Sequence, residues 1–314
     1  MNASGSLITF YSFKGGLGRS MAVANIGRVL ARGGSKLILL IDWDLEAPGL
    51  EAYFHESDQA ERGLIEYFTA LAEMLRQNSD FASALAGSDG AGELYRALPL
   101  DAYVVDSGAP GVSLLLATGT GRATTRTYQD AIARFDWVGL FEKTPQAIAA
   151  FRGMLASSYD YVLIDSRTGV SDISGMCTAI LPDRLVAMFG PSRQSLGVLE
   201  IAKAAVQFRR ISDDDRPLVV FPLASRFDTA VLHAFQRAFK EAREDFTKLF
   251  LDIYGLSECE LDEYFQNAML LYVPHYAYGE PNVVDGDEPD YAGSLRRGYE
   301  TFAGIIATRD VPWE

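Results

Sequence analysis

Lys14-Gly15-Gly16-Leu17-Gly18-Arg19-Ser20 follows directly on the apolar run 7–13 and precedes a helical pattern. The stretch reads as a buried strand that breaks into a glycine-rich loop and reopens as a helix at Ser20. Glycines let a backbone bend tightly and approach a ligand closely, so successive N–H groups converge on an anion. The first helical turn adds unpaired N–H donors and the positive end of the helix dipole. A hydroxyl at the start of that helix, here Ser20, is the group that binds magnesium beside a nucleotide's phosphates. The spacing is not that of the ordinary phosphate loop, in which Gly and four free positions precede Gly-Lys-Ser/Thr. Phe13 holds the first position here, and a lysine, Lys14, stands at the front.

Further along, the apolar run 36–41 ends in Asp42-Trp43-Asp44-Leu45-Glu46-Ala47-Pro48-Gly49, and the run 159–164 ends in Asp165-Ser166-Arg167-Thr168-Gly169. Acidic and hydroxyl groups at the carboxyl ends of buried strands are where an open parallel sheet builds its ligand site.

Together these segments resemble the MinD/ParA family of ATPases. The first is similar to the family's deviant Walker A loop, Lys-Gly-Gly-x-Gly-Lys-Ser/Thr, with Arg19 in place of the loop lysine, as in an arginine-variant branch of ATPases of unassigned role. The second resembles the Asp-x-Asp-Pro first switch and the third the second switch. The resemblance implies a P-loop NTPase site for ATP and magnesium (Mg2+). Lys14, Gly15, Gly16, Leu17, Gly18, Arg19, Ser20 and Met21 would bind the nucleotide, and Ser20, Asp42 and Asp165 the metal. Lys14, Arg19 and Asp44 would carry the chemistry, Asp44 by orienting the attacking water. Lys14 would reach the partner's phosphates across a nucleotide-sandwich homodimer.

Looser matches follow. Gly190-Pro191-Ser192-Arg193-Gln194-Ser195 resembles the loop before the family's long helix. Ser225-Arg226-Phe227-Asp228 falls where relatives carry Asn-Arg beside the adenine, with Ser225 replacing the Asn. Val273-Pro274-His275-Tyr276, followed by Gly279-Glu280-Pro281, resembles the loop that closes over the base. These matches add Arg226 and Pro274 to the cofactor-binding set.

Phosphoryl transfer asks a protein mainly to position water and neutralise charge. A guanidinium is bulkier and more planar than an ammonium, so Lys-to-Arg in a tight loop is not conservative. Two outcomes stay open: slow hydrolysis with Arg19 in the lysine's role, or binding without turnover. Arg167 either supplies compensating positive charge or forms a surface ion pair.

The 314 residues are 48% hydrophobic, enough for a substantial core, and read as a single domain over 1–314. No apolar run is long enough to span a bilayer, no basic-plus-apolar leader is present, and Cys177 and Cys259 suit a reducing interior. The expectation is a cytoplasmic protein. A formal charge of −14 argues against nucleic acid and anionic membrane as partners. Strands are expected over 7–13, 36–41, 112–117, 159–164, 184–189, 218–223 and 270–273. Helices are expected over 21–32, 60–77, 145–157, 195–211, 230–254 and 295–307. The alternation predicts an α/β fold, an open, mostly parallel twisted sheet with helices on both faces. Residues 57–110 read as a helical insertion, either a docking surface for a partner or a lid and packing layer. The last helix puts Leu295, Tyr299, Phe302 and Ile306 on one face, which packing explains better than membrane binding.

The histidines are too dispersed for a metal site, and the cluster-binding cysteines and tyrosine-rich tail of other superfamily branches are missing. The functional expectation is a nucleotide-dependent dimeric switch, a slow ATPase that regulates or positions a partner protein. The alternatives are a non-hydrolysing nucleotide-bound scaffold and an ATP-dependent synthetase of the same superfamily.

Overall fold

A computed structural model describes residues 5–54, 60–119, 125–169, 175–212, 216–228, 232–279, 282–286 and 294–313. Among them are strands β1 Ser6–Ser12, β2 Ile38–Trp43, β3 Val105–Asp106, β4 Val112–Leu115, β5 Tyr161–Ser166, β6 Arg184–Phe189, β7 Val219–Phe227 and β8 Met269–Leu271. They form a sheet in the order β3-β4-β2-β5-β1-β6-β7-β8. The helices are α1 Arg19–Ala31, α2 Leu64–Gln77, α3 Ser79–Leu85, α4 Gly90–Ala97, α5 Thr125–Arg134, α6 Trp137–Lys143, α7 Pro145–Ser158, α8 Val198–Ile211, α9 Leu232–Tyr254, α10 Asp262–Asn267 and α11 Leu295–Thr308. The chain divides into two compact units, Met1–Leu7 with Ala31–Arg167, and Ile8–Leu30 with Thr168–Glu314.

In the first unit β2 pairs parallel with β4 and with β5, and only β3 runs antiparallel, against β4. All six positions of β2 and all six of β5 are buried, which is why both read as continuous apolar runs ending in acids. Trp43 at the end of β2 packs on Phe68 of α2, Trp137 of α6 and Phe151 of α7, with ring centroids 5.4, 5.8 and 6.3 Å away. Pro145 opens α7, whose missing N–H costs nothing at a helix start. Residues 64–97 are helical apart from short breaks at 78 and 86–89.

In the second unit β6 pairs parallel with β1 and with β7, and β7 with β8. Phe189, Phe227, Phe246 and Phe265 interlock beneath α9 and α10. Arg209 of α8 is buried and donates to the carbonyls of Ala179, Ile180 and Pro182, closing a π-helical turn over Met176–Ile180. The apolar face of α11 is buried at Leu295, Tyr299, Phe302 and Ile306, so it packs inward. Among the described residues no helix is long and apolar enough to cross a membrane.

Several boundaries differ from the sequence reading. The first helix starts at Arg19, and the 60–77 helix at Leu64, because Gly63 donates to Glu66 Oε2 at 2.8 Å and ends the extended stretch there. The 195–211 helix is preceded by a 3-10 turn, Arg193–Gly197. β7 continues to Phe227, carried past its expected end by a bulge against β8 at Ser225/Phe227.

Candidate functional site

Gly16 and Gly18 stand at φ 78° and 75°, in the left-handed region. A Cβ on Gly16 would meet nothing within 4 Å, so backbone conformation and not space demands glycine there. The loop is braced from below. Ser12 Oγ donates to Lys14 O at 3.0 Å, and Ser225 Oγ donates to Leu17 O at 2.7 Å. The first helical bond runs from Ala22 N to Gly18 O at 2.9 Å, so α1 opens directly from the loop. Lys14, Gly15 and Gly16 are exposed, while Leu17, Gly18 and Ser20 are half-buried and Met21 is buried.

Arg19 is 7% exposed, and its Nη1 donates to Ser12 Oγ at 3.4 Å. It lies near Tyr11, whose hydroxyl burial pushes up to about 12 against the pull of the guanidinium. That hydroxyl donates to Gly169 O at 3.1 Å.

The acids belong to the other unit. Asp42 and Asp165 are direct partners across the β2–β5 ladder, 1% and 0% exposed. Burial, and then the Asp165 carboxylate, push Asp42 up to about 8. Two backbone N–H groups pull the other way, Leu50 N and Gly49 N on Oδ2 at 3.0 Å each, and Asp44 N also donates to Oδ1 at 3.2 Å. Asp42 therefore folds the segment after β2 back over the strand end. Asp44 is 9% exposed, and its Oδ1 accepts from Ala47 N at 3.3 Å. Two adjacent buried carboxylates are a hard-oxygen donor pair whose mutual repulsion a small divalent cation would relieve. Magnesium keeps several waters and takes one or two carboxylates beside phosphate oxygens. Among the described residues no three His, Cys, Asp or Glu converge for a metal.

Glu46 forms an ion pair with Arg167, so the two acidic segments are tied at their tips, and of the alternatives the sequence leaves open for Arg167 the ion pair is the one present. Tyr128 of α5 donates to Leu45 O at 2.6 Å. Sequence reasoning missed Tyr128, because the mostly polar α5 segment carries no apolar periodicity long enough to announce a helix.

Beside the glycine loop lies a small pocket of about 30 Å³ lined by Leu17, Met21, Arg226, Tyr272, Val273 and Tyr276 among others. Of the segments expected beside the base, Ser225, Arg226, Val273 and Tyr276 line it. Pro274 opens the 3-10 turn Pro274–Tyr278 and is not part of the lining. Glu280 and Pro281 lie outside the described residues. Arg226 adopts φ 59° at the β7 bulge, and its Nε is the nearest atom, at 3.9 Å, to a Cβ built on Gly18. The Ser225 hydroxyl, in the position of the family's Asn, is already committed to the loop carbonyl of Leu17. Asn25 of α1 is fully buried and accepts from Val283 N and Val284 N at 2.9 and 3.2 Å, anchoring a following segment to the same helix.

No protein-family model and no curated protein matches the sequence. Solved structures do share its fold. An McdA–ATP complex from Cyanothece aligns at TM-score 0.61 and 14% identity over 99% of both chains. The septum site-determining protein MinD of Pyrococcus horikoshii, in complex with Mg-ADP, aligns at 0.57 and 16% over 96% of both. A ParA family ATPase from Chlorobium tepidum aligns at 0.52 and 16% over 97% of this chain and all of its own. The chain has the fold of the MinD- and ParA-type P-loop ATPases.

Proposed function

We propose that the protein binds ATP with magnesium and acts as a nucleotide-dependent dimeric switch, a slow ATPase that regulates or positions a partner protein. The observation that carries this reading is the glycine loop itself. Two left-handed glycines open an exposed loop, directly after a buried strand, into the N-terminus of α1. Such a loop offers converging N–H donors and a helix dipole to phosphate. The shared fold with ATPases that bind ATP or Mg-ADP supports the choice of ligand.

In this reading Gly15, Gly16, Leu17, Gly18, Arg19, Ser20 and Met21 hold the nucleotide, and Arg226 and Pro274 flank its base. Ser20, Asp42 and Asp165 are the proposed magnesium holders. The metal, when bound with nucleotide, neutralises charge on the β- and γ-phosphates. Asp44 orients the attacking water, and exposed Lys14 reaches the phosphates of a second protomer. The γ-phosphate then biases a two-state equilibrium between separate and paired chains.

One observation favours a second reading, the non-hydrolysing scaffold. Arg19 is buried with its guanidinium turned to Ser12 of β1. Size-exclusion chromatography with light scattering in ADP and in ATP, with phosphate release assayed on the same samples, separates the two. An ATP-specific dimer that releases phosphate slowly is the outcome expected. A dimer without release favours the scaffold, and no response to either nucleotide overturns both.

A further inference from the structure

Side chains alternate along a strand, so Trp43, the last residue of β2, lies on the opposite face from Asp42, and Asp44 follows directly. Its ring is fully buried among Phe68, Trp137 and Phe151, and Phe68 and Trp137 themselves pack at 5.0 Å. The peptide that enters Asp44 is thus fixed by a large rigid anchor contributed by three helices. One residue beyond Asp44 the chain is gripped again, because Tyr128 donates its hydroxyl to Leu45 O at 2.6 Å. Tyr128 is half-buried, and burial followed by the nearby acids Asp42, Glu66 and Asp44 keeps its hydroxyl protonated, which is the form that donates. The ring at α5's end continues the same core: Phe135 packs on Trp137 at 4.4 Å and on Phe68 at 6.3 Å. Asp44 is therefore bracketed by two contacts, the buried Trp43 ring before it and the Tyr128 hydroxyl on Leu45 O after it.

We infer that Trp43 and Tyr128 are positioning residues that hold the segment 44–50, and with it the Asp44 carboxylate, in a single arrangement. The inference rests on the proposed role of Asp44 in orienting water. Each acts through the backbone on either side of Asp44, where a displacement of an ångström is enough to slow a positioned reaction about 100-fold.

Tyr128→Phe is the cleanest test, since it removes one hydroxyl and keeps the ring. Hydrogen exchange of the amides of 44–50 is measured first, without nucleotide. It is expected to quicken about tenfold in Tyr128→Phe while β2 amides are unchanged. Phosphate release is then expected to show kcat lowered about tenfold, with the KM for ATP and the affinity for ADP within twofold of wild type. Trp43→Leu should behave alike, and Trp43→Phe should recover most of the loss. Unchanged exchange in Tyr128→Phe overturns the inference, as does faster exchange with unchanged kcat. Parallel losses of kcat, nucleotide affinity and melting temperature also overturn it, because they mark a merely structural role. If wild type releases no more phosphate than Asp44→Ala, the hydrolytic reading fails by itself, and the exchange rates alone decide whether the two residues hold the segment.

Discussion

Gly15 and Gly16 are neighbours in one exposed loop, yet they carry different constraints. Only Gly16 sits at positive φ, and a Cβ on either would meet nothing within 4 Å. Gly16→Ala should therefore cost about 1 kcal/mol of stability, the price of a left-handed L-residue, while Gly15→Ala leaves a denaturation curve unmoved. Equal curves for the two would mean that the loop relaxes around the new Cβ. Asp44 poses a sharper question, because its carboxylate accepts from Ala47 N and so has a local structural use as well. If its proposed role holds, Asp44→Ala keeps ATP binding and lowers phosphate release by about 100-fold or more, the range for a positioned proton-accepting group. Loss of ATP binding instead would make Asp44 a scaffold for the loop or a ligand of the metal. The loop and both acidic segments were legible because strand ends and glycine spacing are local patterns. Tyr128 was not: its partner is a carbonyl 83 residues away in the chain, and a backbone acceptor leaves no mark on composition.

At the scale of elements, legibility followed length and burial. β6 spans the expected 184–189, and α7 extends the expected 145–157 by one residue, because a strand buried from its second residue on and a proline-started helix each leave a continuous signature. Of the short helices, α5, α6 and α10 were missed, and α3 and α4 were expected only as parts of the helical insertion over 57–110. Each has ten residues or fewer, and α4 carries glycines at 90 and 92, so neither periodicity nor propensity could accumulate. What holds such irregular pieces is side-chain to backbone bonding. Arg209 is the clearest instance, buried with its Nη2 on three carbonyls. A lysine has the charge but not the fork. Arg209→Lys should destabilise the fold by about 2 kcal/mol, the cost of stranding buried acceptors of a charged donor, read as a fall in the denaturation midpoint at unchanged slope. A midpoint equal to wild type would show that the carbonyls at 179–182 find other donors.

For the whole molecule the decisive quantity is charge. Each chain carries a formal −14, so two copies repel at long range, and any pairing has to draw on short-range contacts strong enough to offset that. A bound triphosphate adds further negative charge and would deepen the repulsion unless a cation from the opposite chain met it. Lys14 is placed for that part, at the front of the loop and exposed, with no fold-stabilising burial of its own. The expectation is a chain that stays single in ADP and doubles its mass in ATP with magnesium. Lys14→Ala should stay single in both while binding nucleotide within twofold of wild type, since the lysine's proposed contact lies across the interface. Light scattering and equilibrium nucleotide binding on the same samples make the comparison. An ATP-dependent dimer that survives Lys14→Ala would remove the lysine from the interface. Loss of nucleotide binding by the separate chain would instead make Lys14 a ligand of its own phosphates, and pairing would then need another source of positive charge.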